Sequence, residues 1–489
     1  MQKITKILVA NRGEIALRII RACKELEIKS VVVFSEVDVN GIWVARADES
    51  YPIVGNAIDA YLKYDKIIDI AKRTKCDAIH PGYGFLSENA EFAQACEDNG
   101  LIFIGPKPHH IELFGDKMAS KVAMKKIGVP VLEGTSSPII DEEEGRRIAL
   151  EIGYPIIIKA AFGGGGRGMR IVHFADDFSK MFASATNESI KYFGKGDVFI
   201  EKYIENPRHI EIQIIADKYA NVLHLGERDC SIQRRHQKVI EITPSPLLND
   251  EVRQKLCTIS VKAMKKLGYE SVGTVEFLVD EKDNIYFIEM NTRVQVEHPV
   301  TEVVTGVDII QRMIEIAAGD ILKYKQSEIQ FRGYAIEFRI NSEDPQNNFM
   351  PTAGVVKKYL TPGGPGVRLD SSLYSGYETP TCYDSMLGKL IVWALDWNGA
   401  VAKARRALDE FHIEGFKTNI ALHREIVRDE GFKKGKFDTG YLDANMTKFN
   451  LDAQSSIAYE EEKTLKLADS IKQIKGNILV RLENDFILY

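Results

Sequence analysis

The stretch EMNTRVQVEHP, residues 289–299, carries the strongest indication of both fold and function. Side chains in an extended strand alternate between two faces. If residues 289–297 are extended, five polar side chains share one face: Glu289, Asn291, Arg293, Gln295 and Glu297. The intervening side chains are mostly apolar and can pack on a core. The stretch therefore predicts a strand with one buried apolar face and one chemically active face.

The segment just before it is predicted to form a β-hairpin, in which DEKDN joins two strands in the sequence TVEFLVDEKDNIYFIEMN. Such a hairpin can place Glu276 beside Glu289, and like charges directly opposite each other destabilise a sheet. A hard divalent cation would neutralise the pair, because it binds carboxylate and phosphate oxygens together. Asn291 could add a carbonyl oxygen. Farther along the same face, Arg293 suits a planar anion and Glu297 suits a general base.

A run of glycines, Gly163 to Gly166, lies between two apolar segments in GYPIIIKAAFGGGGRGMRIV. Glycine has no Cβ, so its backbone amides can approach an anion closely. The absence of GK[ST] excludes a Walker A loop, and the strand–loop–strand context is closer to the flap that kinases place over ATP phosphates. A flexible linker is the weaker alternative, because such linkers do not usually join two tight apolar strands. The run predicts a phosphate-binding lid.

Polar residues at the end of another apolar strand, in EKYIENPRHIEIQ, predict a second part of a ligand site. Glu201 and Lys202 could recognise an adenine edge beside backbone carbonyls. His209, Glu211 and Gln213 alternate, so they would share one strand face.

A basic cluster lies in ERDCSIQRRHQKV, where five cationic or titratable residues fall within eleven positions: Arg228, Arg234, Arg235, His236 and Lys238. It predicts an anion site. The cluster is isolated and has no interleaved aromatic residues, which disfavours nucleic-acid binding. The loop HPGYGF at residues 80–85 follows a strand, in the position where open α/β sheets bind ligands. A plain turn remains the alternative for that loop.

Composition bounds the class of protein. The chain has 489 residues, 45% hydrophobic and 27% charged, with a formal net charge of −6. That balance argues against a general nucleic-acid or membrane-surface binder. Six scattered cysteines without a CxxC pair disfavour structural zinc and disulfides and are typical of a reducing cytoplasm. We find no secretory signal and no run long enough to cross a membrane, so we expect a cytoplasmic protein.

The N-terminal region has a βαβ pattern. Apolar runs at residues 7–10 and 31–34 flank a helix with Ile15, Ile19 and Cys23 at helical spacing. This pattern predicts parallel strands in a doubly wound sheet. The GxGxxG fingerprint is absent, which disfavours NAD binding.

Together these segments resemble biotin carboxylase, an ATP-grasp ligase, over residues 1 to about 449. The resemblance is carried by ANRGEIALRIIRACKELEIK, HPGYGFLSENAEFA, GGGGRGMR, EKYIENPRHIEIQ, ERDCSIQRRHQKV, EMNTRVQVEHPVTE, GVDII, YDSMLGKL and KTNI. It implies a three-domain ATP-grasp architecture of α/β and α+β class. The implied parts are an N-terminal Rossmann-like domain at 1–112, an ATP-grasp domain at 113–331 with a Gly-rich lid at about 131–203, a mainly β C-terminal domain at 332–449, and a tail at 450–489 outside the family pattern.

The resemblance also implies site residues. The implied ATP contacts are Lys117, Lys159, Gly165, Gly166, Glu201, Lys202, Ile204, His209, Gln233 and His236. The implied ligands for Mg²⁺, or for Mn²⁺, are Glu276, Glu289 and Asn291. The implied bicarbonate and biotin contacts are Lys238, Arg293, Gln295, the Val296 backbone, Arg339 and Tyr83, and the implied catalytic residues are Lys238, Arg293, Glu297 and Arg339.

The implied activity is ATP- and bicarbonate-dependent carboxylation of biotin through carboxyphosphate. This is the first half-reaction of acetyl-CoA carboxylase or of a two-subunit pyruvate carboxylase. The chain has no Met-Lys-Met carrier motif, so the implied partners are a biotin carboxyl carrier protein and carboxyltransferase subunits, with a homodimer expected. Two alternatives stay open: another ATP-grasp carboxylate ligase, and a non-catalytic nucleotide-binding regulator.

Overall fold

The structure is a computed structural model that describes four ranges of the chain: 3–135, 137–160, 169–193 and 196–451. The predicted glycine lid residues Gly165 and Gly166, and nearly all of the predicted tail, lie outside these ranges. Within them, no helix combines the length and the apolar character needed to cross a membrane.

The first unit is a parallel α/β sheet, which confirms the prediction from the βαβ pattern. Its strands are β1 (Lys6–Val9), β2 (Lys29–Phe34), β3 (Glu49–Pro52), β4 (Ala78–His80) and β5 (Ile102–Phe103). Its helices are α1 (Gly13–Glu25), α2 (Ile42–Arg46), α3 (Tyr64–Arg73), α4 (Ala90–Asp98) and α5 (Pro108–Gly115). The strand order is β3-β2-β1-β4-β5, and all neighbours are parallel. The loops after β1 and β4 therefore meet at one edge of the sheet.

A small antiparallel sheet follows, in the order β7-β6-β8. The elements of this part are α6 (Lys117–Ile127), α7 (Glu142–Ile152), β6 (Ile156–Ala160), β7 (Arg170–Val172), α8 (Phe178–Phe193) and β8 (Val198–Lys202). Ile156 pairs with Val172 on one side and with Lys202 on the other. The two strands predicted on either side of the glycine run are thus confirmed.

The rest of the chain builds an eight-stranded antiparallel sheet and its covering helices. The elements are β9 (Arg208–Ala216), β10 (Val222–Arg234), β11 (Gln237–Thr243), α9 (Asp250–Leu267), β12 (Ser271–Val279), β13 (Ile285–Asn291), α10 (His298–Thr305), α11 (Ile309–Ala317), β14 (Tyr334–Asn341), β15 (Glu343–Asp344), β16 (Met350–Pro351), β17 (Lys358–Leu360), β18 (Val367–Ser371), β19 (Met386–Ala394), α12 (Trp397–Glu410), β20 (His412–Glu414), α13 (Ile420–Ile426), α14 (Glu430–Lys433) and α15 (Tyr441–Asn445). The order in the large sheet is β13-β12-β9-β10-β11-β14-β19-β18, and β15–β16 and β17–β20 form separate pairs.

The two faces of the large sheet differ in chemistry. On β9, Ile210 and Ile212 belong to an apolar core that includes residues of α9, whereas Glu211 lies between them in sequence. On β14, Phe338 packs in a core with residues of α12, whereas Arg339 is the next residue. Because strand side chains alternate, the charged residues of neighbouring strands collect on the face opposite these cores.

The sequence-based expectation of one extended strand through residue 297 is wrong beyond Asn291, where β13 ends. Residues 292–297 turn instead and lead into α10, which carries Pro299 in its first turn. Proline is favoured there because its missing N–H is not needed for helix hydrogen bonding. The turn is fixed by His298, whose Nδ1 lies 2.7 Å from the Gln295 carbonyl oxygen. As a result, Gln295 folds back over the sheet and donates to Glu276 Oε1 at 2.7 Å.

Candidate active site

Lys238 on β11 is the centre of the charged face. Its Nζ donates to Glu211 Oε2 at 2.5 Å, to Glu297 Oε1 at 2.7 Å and to Glu276 Oε1 at 2.9 Å. Burial by itself lowers the pKa of this ammonium, but the three carboxylates outweigh burial and raise the pKa well above its ordinary value. Lys238 therefore stays charged and joins three elements that are distant in sequence.

Glu297 is held by two cations. Its Oε1 accepts from Lys238, and its Oε2 accepts from Arg339 at 2.9 Å. Burial raises the pKa of this carboxyl, but the charges of Lys238, Arg339 and Arg228 outweigh burial and lower the pKa below its ordinary value. Glu297 is therefore an ionised carboxylate that is only 1% exposed.

Arg339 on β14 holds two carboxylates at once. Besides Glu297, its Nε donates to Glu241 Oε1 at 2.5 Å. Burial raises the pKa of Glu241 to about 7, and the charge of Glu297 adds to that effect while Arg339 opposes it. The pairing of β11 with β14 sets this contact, because Glu241 lies directly opposite Glu337, two residues before Arg339.

Arg228 binds side chains within and next to the charged cluster around Lys238. Its guanidinium is fully buried and donates to five side chains: Glu211, Gln213, Thr274, Gln295 and Thr301. In the sequence, Arg228 is recognisable only as a member of a basic cluster. The alternation in HIEIQ was the available signal for its partners, since Glu211 and Gln213 share a strand face.

The predicted carboxylate pair is confirmed in its register: Glu276 on β12 lies directly opposite Glu289 on β13. Asn291 Nδ2 donates to Glu276 Oε1 at 2.8 Å. Within the described part of the chain, Glu289 has no hydrogen-bond or ion-pair partner; burial raises its pKa, and the charge of Glu276 raises it further. Two opposed carboxylates and an amide oxygen are hard ligands, so the residues fit Mg²⁺.

Two other groups of closely spaced metal-binding atoms occur among the described residues: His209 with Glu211 and Glu276, and Glu211 with Cys230 and Glu297. Neither contains Glu289. The glutamates of both groups are already bound by Lys238, and Glu211 is also bound by Arg228. A cation at either group would compete with ion pairs at every glutamate it binds. At the Glu276–Glu289 pair it would compete only for Glu276, because Glu289 has no ion-pair partner among the described residues, so this pair remains the predicted magnesium site.

Arg293 makes its side-chain hydrogen bonds to residues other than Glu297. Its Nη2 donates to Asn291 Oδ1 at 2.8 Å, and its Nε donates to Glu88 Oε2 at 2.9 Å. Glu88 follows the HPGYGF loop after β4, so this contact joins the parallel sheet to the face that carries the predicted magnesium ligands. The structure therefore brings Arg293 to the predicted magnesium ligands.

The predicted nucleotide residues form a second group. Glu201, at the end of β8, pairs with Lys159 at 2.6 Å and with Lys121. Burial raises the pKa of Glu201, but the two lysines outweigh burial and lower it to about 2. Lys202 donates to the carbonyl oxygens of Gly153 at 2.9 Å and Tyr154 at 3.1 Å. Lys121 could not be predicted from the sequence, because its spacing on α6 gives no sign of a distant partner.

His209 lies next to Glu276, one of the predicted magnesium ligands, and Gln233 lies next to His209. His209 Nε2 lies 2.7 Å from Glu276 Oε2, and Gln233 Nε2 lies 2.8 Å from His209 Nδ1. Two other predicted contacts make no side-chain hydrogen bond to described residues: Lys117, the first residue of α6, and His236, in the exposed turn between β10 and β11. The apolar residue Ile204, also a predicted contact, follows β8.

A cavity of about 470 Å³ opens between the parallel sheet and the charged face. Tyr83, Val296 and Arg339 line it together, as do Arg12 and Tyr383. Residues predicted from three separate stretches of sequence therefore meet at one cavity, and Arg339 connects that cavity to Glu297.

Models of three protein families match the chain. They are "Biotin carboxylase, N-terminal domain" over residues 3–111, "Carbamoyl-phosphate synthase L chain, ATP binding domain" over 116–325, and "Biotin carboxylase C-terminal domain" over 337–444.

Individual proteins match over nearly the whole chain. The 2-oxoglutarate carboxylase small subunit of Hydrogenobacter thermophilus is 53% identical, with 90% of this chain and 93% of that protein covered. A pyruvate carboxylase subunit of Methanothermobacter thermautotrophicus is 48% identical over 464 residues, with 95% of this chain and 94% of that protein covered.

A solved structure also matches. The biotin carboxylase domain dimer of the Hydrogenobacter thermophilus 2-oxoglutarate carboxylase, crystallised with MgADP, ADP and bicarbonate, superposes with a TM-score of 0.88. It is 52% identical to this chain, and the match covers 92% of this chain and 99% of that one.

Proposed function

The chain belongs to the biotin carboxylase family of ATP-dependent ligases, and on that premise we propose which of its residues carry out the ATP- and bicarbonate-dependent carboxylation of biotin. The observation that carries the proposal is the position of Glu297. It lies between Lys238, which reaches the metal-binding face, and Arg339, which lines the cavity with Tyr83. The test is ATP hydrolysis by the purified chain, which should require bicarbonate and rise on addition of free biotin.

In this proposal Glu297 takes the proton of bicarbonate, and a bicarbonate oxygen then attacks the γ-phosphorus of ATP as ADP leaves. Arg293, Lys238, the Gln295 side chain and the Val296 backbone hold the anion. Positioned cations stabilise the charge that develops on the transferred group. Bound Mg²⁺, held by Glu276, Glu289 and Asn291, would supply further positive charge beside the phosphates.

The second stage, the carboxylation of biotin, is proposed to take place in the cavity. Carboxyphosphate breaks to CO₂ and phosphate, and the phosphate removes the ureido proton of biotin. Arg339 then holds the resulting enolate, and the deprotonated ureido nitrogen of biotin captures CO₂. Tyr83 is proposed to form part of the biotin pocket. Arg339 supports this role because one guanidinium both lines the cavity and contacts Glu297.

The proposed role of Glu297 as a base has to account for the two cations that stabilise its carboxylate. Lys238 and Arg339 both contact it directly. When bicarbonate binds, its negative charge competes for the same cations, which then stabilise the Glu297 carboxylate less. A nearby anion raises the pKa of a carboxylate, which brings Glu297 closer to a useful range for proton transfer.

The nucleotide is proposed to contact Lys117, Lys159, Glu201, Lys202, Ile204, His209, Gln233 and His236, with Gly165 and Gly166 over the phosphates. The domain limits at residues 112, 331 and 449 also remain proposals. The large sheet runs across the limit at residue 331, because β11 pairs with β14. These two domains would therefore share one sheet.

The biotin is proposed to arrive on a separate carrier protein, and the carboxyl group to leave through a separate carboxyltransferase, with this chain as a cytoplasmic homodimer. Support comes from relatives named as subunits and from a relative crystallised as a dimer. For the final acceptor we favour pyruvate or another 2-oxo acid over acetyl-CoA. The match to the Methanothermobacter pyruvate carboxylase is 464 residues long and so runs beyond Leu451. Identifying the carboxyltransferase that copurifies with the native chain tests this choice.

Glu289→Gln should raise the Mg²⁺ concentration needed for half-maximal ATP hydrolysis. A neutral amide replaces one anionic ligand, and hard cations bind anionic oxygens more tightly. We expect a shift of about tenfold or more, the size of one charged contact. The measurement is a magnesium titration at fixed free ATP. A titration that superposes on that of the parent would remove Glu289 from the metal site.

Glu201→Gln should raise the KM for ATP while changing the KM for bicarbonate little. The carboxylate holds Lys159 and Lys121 together, and its loss leaves two neighbouring ammonium groups that repel each other. We expect the KM for ATP to rise about tenfold, as for one lost charged hydrogen bond. Steady-state kinetics with each substrate varied in turn checks this, and equal increases in both KM values would contradict the assignment.

A further inference from the structure

Lys389 on β19 is a fully buried lysine that the activity described above does not use. Its Nζ donates to the carbonyl oxygen of Val296 at 2.9 Å and lies 3.1 Å from Glu14 Oε1. Strand pairing places Lys389 directly opposite Arg339. The side chain therefore extends beneath the segment that precedes Glu297.

The anion that faces Lys389 comes from the other side of the cavity. Glu14 is the second residue of α1, and it accepts a hydrogen bond from the hydroxyl of Tyr83. The Nζ of Lys389 also lies 5.9 Å from the centre of the Tyr83 ring. Lys389 thus joins the wall proposed to bind biotin to the peptide that carries the proposed base.

The contact with Val296 has a direct geometric consequence. The carbonyl of Val296 and the amide of Glu297 belong to one planar peptide group. Fixing that carbonyl fixes the orientation of the peptide and the place where the Glu297 side chain begins. Residues 292–297 lie between β13, which ends at Asn291, and α10, which begins at His298, so no strand pairing holds the Val296–Glu297 peptide. A hydrogen bond from a rigid strand is therefore well placed to set the geometry of this segment.

Burying a lysine is costly unless its charge is matched and its donors are used. Burial lowers the pKa of Lys389, but Glu14, Glu337 and Asp370 outweigh burial and raise it. Lys389 is therefore charged. Both carboxylate oxygens of Glu337 are buried and have no hydrogen-bond partner among the described residues. Lys389 therefore donates no hydrogen bond to Glu337.

We propose that Lys389 is a positioning residue for the bicarbonate step, because it holds the Val296–Glu297 peptide in the orientation that presents the Glu297 carboxylate to bicarbonate. This inference rests on the proposed role of Glu297 as the base. The competing explanation is that Lys389 only balances the buried charges of Glu14 and Glu337. The two explanations differ in whether the hydrogen bond or the charge matters.

The experiment compares two variants that differ in hydrogen bonding but not in charge. Lys389→Met and Lys389→Gln are both made in a Glu14→Gln background, so that the buried pair stays electrically balanced. The glutamine amide can donate towards the Val296 carbonyl, whereas methionine cannot. Each is measured against Glu14→Gln alone in bicarbonate-dependent ATP hydrolysis without biotin, with the bicarbonate and ATP concentrations varied separately.

For the methionine variant we expect kcat/KM for bicarbonate to fall about tenfold or more, the size of a lost hydrogen bond to a charged group, because both the base and the peptide next to it are displaced. The glutamine variant should recover part of that loss, and the KM for ATP should stay within about twofold for both. Arg253→Met is the structural control. It removes the cation that pairs with another buried carboxylate, Glu227 on β10, at 2.7 Å, and it should leave kcat/KM for bicarbonate unchanged.

Three outcomes would overturn the inference. One is equal kinetics for the methionine and glutamine variants. Another is a rise in the KM for ATP as large as the fall in kcat/KM for bicarbonate. The third is failure of all Lys389 variants to fold while Arg253→Met folds, which would make Lys389 a purely structural partner. If instead the unaltered chain itself lacks bicarbonate-dependent ATP hydrolysis, the proposed function fails before the role of Lys389 is in question.

Discussion

Glu297→Gln is expected to abolish ATP hydrolysis both with and without biotin, while the protein stays folded. Glutamine has nearly the same shape, so it can keep a contact with Lys238 or Arg339, but its amide cannot accept the bicarbonate proton. Loss of a general base costs about 10²- to 10⁴-fold in rate. Because proton removal precedes every later step, the loss should appear in kcat for both reactions, and restoring bicarbonate to saturation should not rescue it.

Glu241→Gln is the matched control for that experiment. Glu241 is also fully buried and also accepts from Arg339, but Lys238 donates its hydrogen bonds to other described carboxylates. Glu241→Gln should therefore retain far more biotin-independent hydrolysis than Glu297→Gln. The measurement is kcat for both variants at saturating ATP and bicarbonate, with thermal unfolding as the test of folding. If both variants lose the same activity, Glu297 acts only as part of a charge network and the base must be another group.

The hairpin that carries Glu276 and Glu289 could be predicted from the sequence, because two short-range rules act together. Alternation fixes which side chains share a face, and a short polar connection limits the register to a few choices. The pairing of Glu276 with Glu289 follows from these two rules. Residues 292–297 could not be predicted in the same way. Their alternation continues by chance into a turn, and only Pro299, in the first turn of α10, indicated that the strand must end.

The long-range contacts of the buried arginines could not be predicted from such local rules. Arg228 meets Gln295 across 67 positions, and Arg339 meets Glu241 across 98. The turn after β13 brings Gln295 to Arg228, and the pairing of β11 with β14 brings Glu241 to Arg339. No local pattern reports contacts between segments so far apart in sequence. The resemblance supplied the residues proposed to touch substrate. It did not supply Glu211 or Lys389, which hold those residues in place.

The two arginines should separate the two stages of the reaction. Arg293 contacts Asn291, one of the predicted magnesium ligands, so its loss should disturb the bicarbonate site and the charge balance beside the phosphates. Arg293→Ser is therefore expected to impair hydrolysis with and without biotin by about 10²-fold or more. Arg339 lines the cavity, so Arg339→Ser should lose carboxylation of free biotin by a similar factor.

Biotin-independent hydrolysis should survive better in Arg339→Ser, because Glu297 keeps its contact with Lys238. The structure nevertheless adds a second effect, since Arg339 also contacts Glu297 and lowers its pKa. Removing that cation raises the pKa of the base, so the acid limb of the hydrolysis profile should move to higher pH. The measurement is ATP hydrolysis with and without free biotin, from acid to neutral pH, for both variants. Equal loss of the two reactions in Arg339→Ser at every pH would show that the two stages share this arginine.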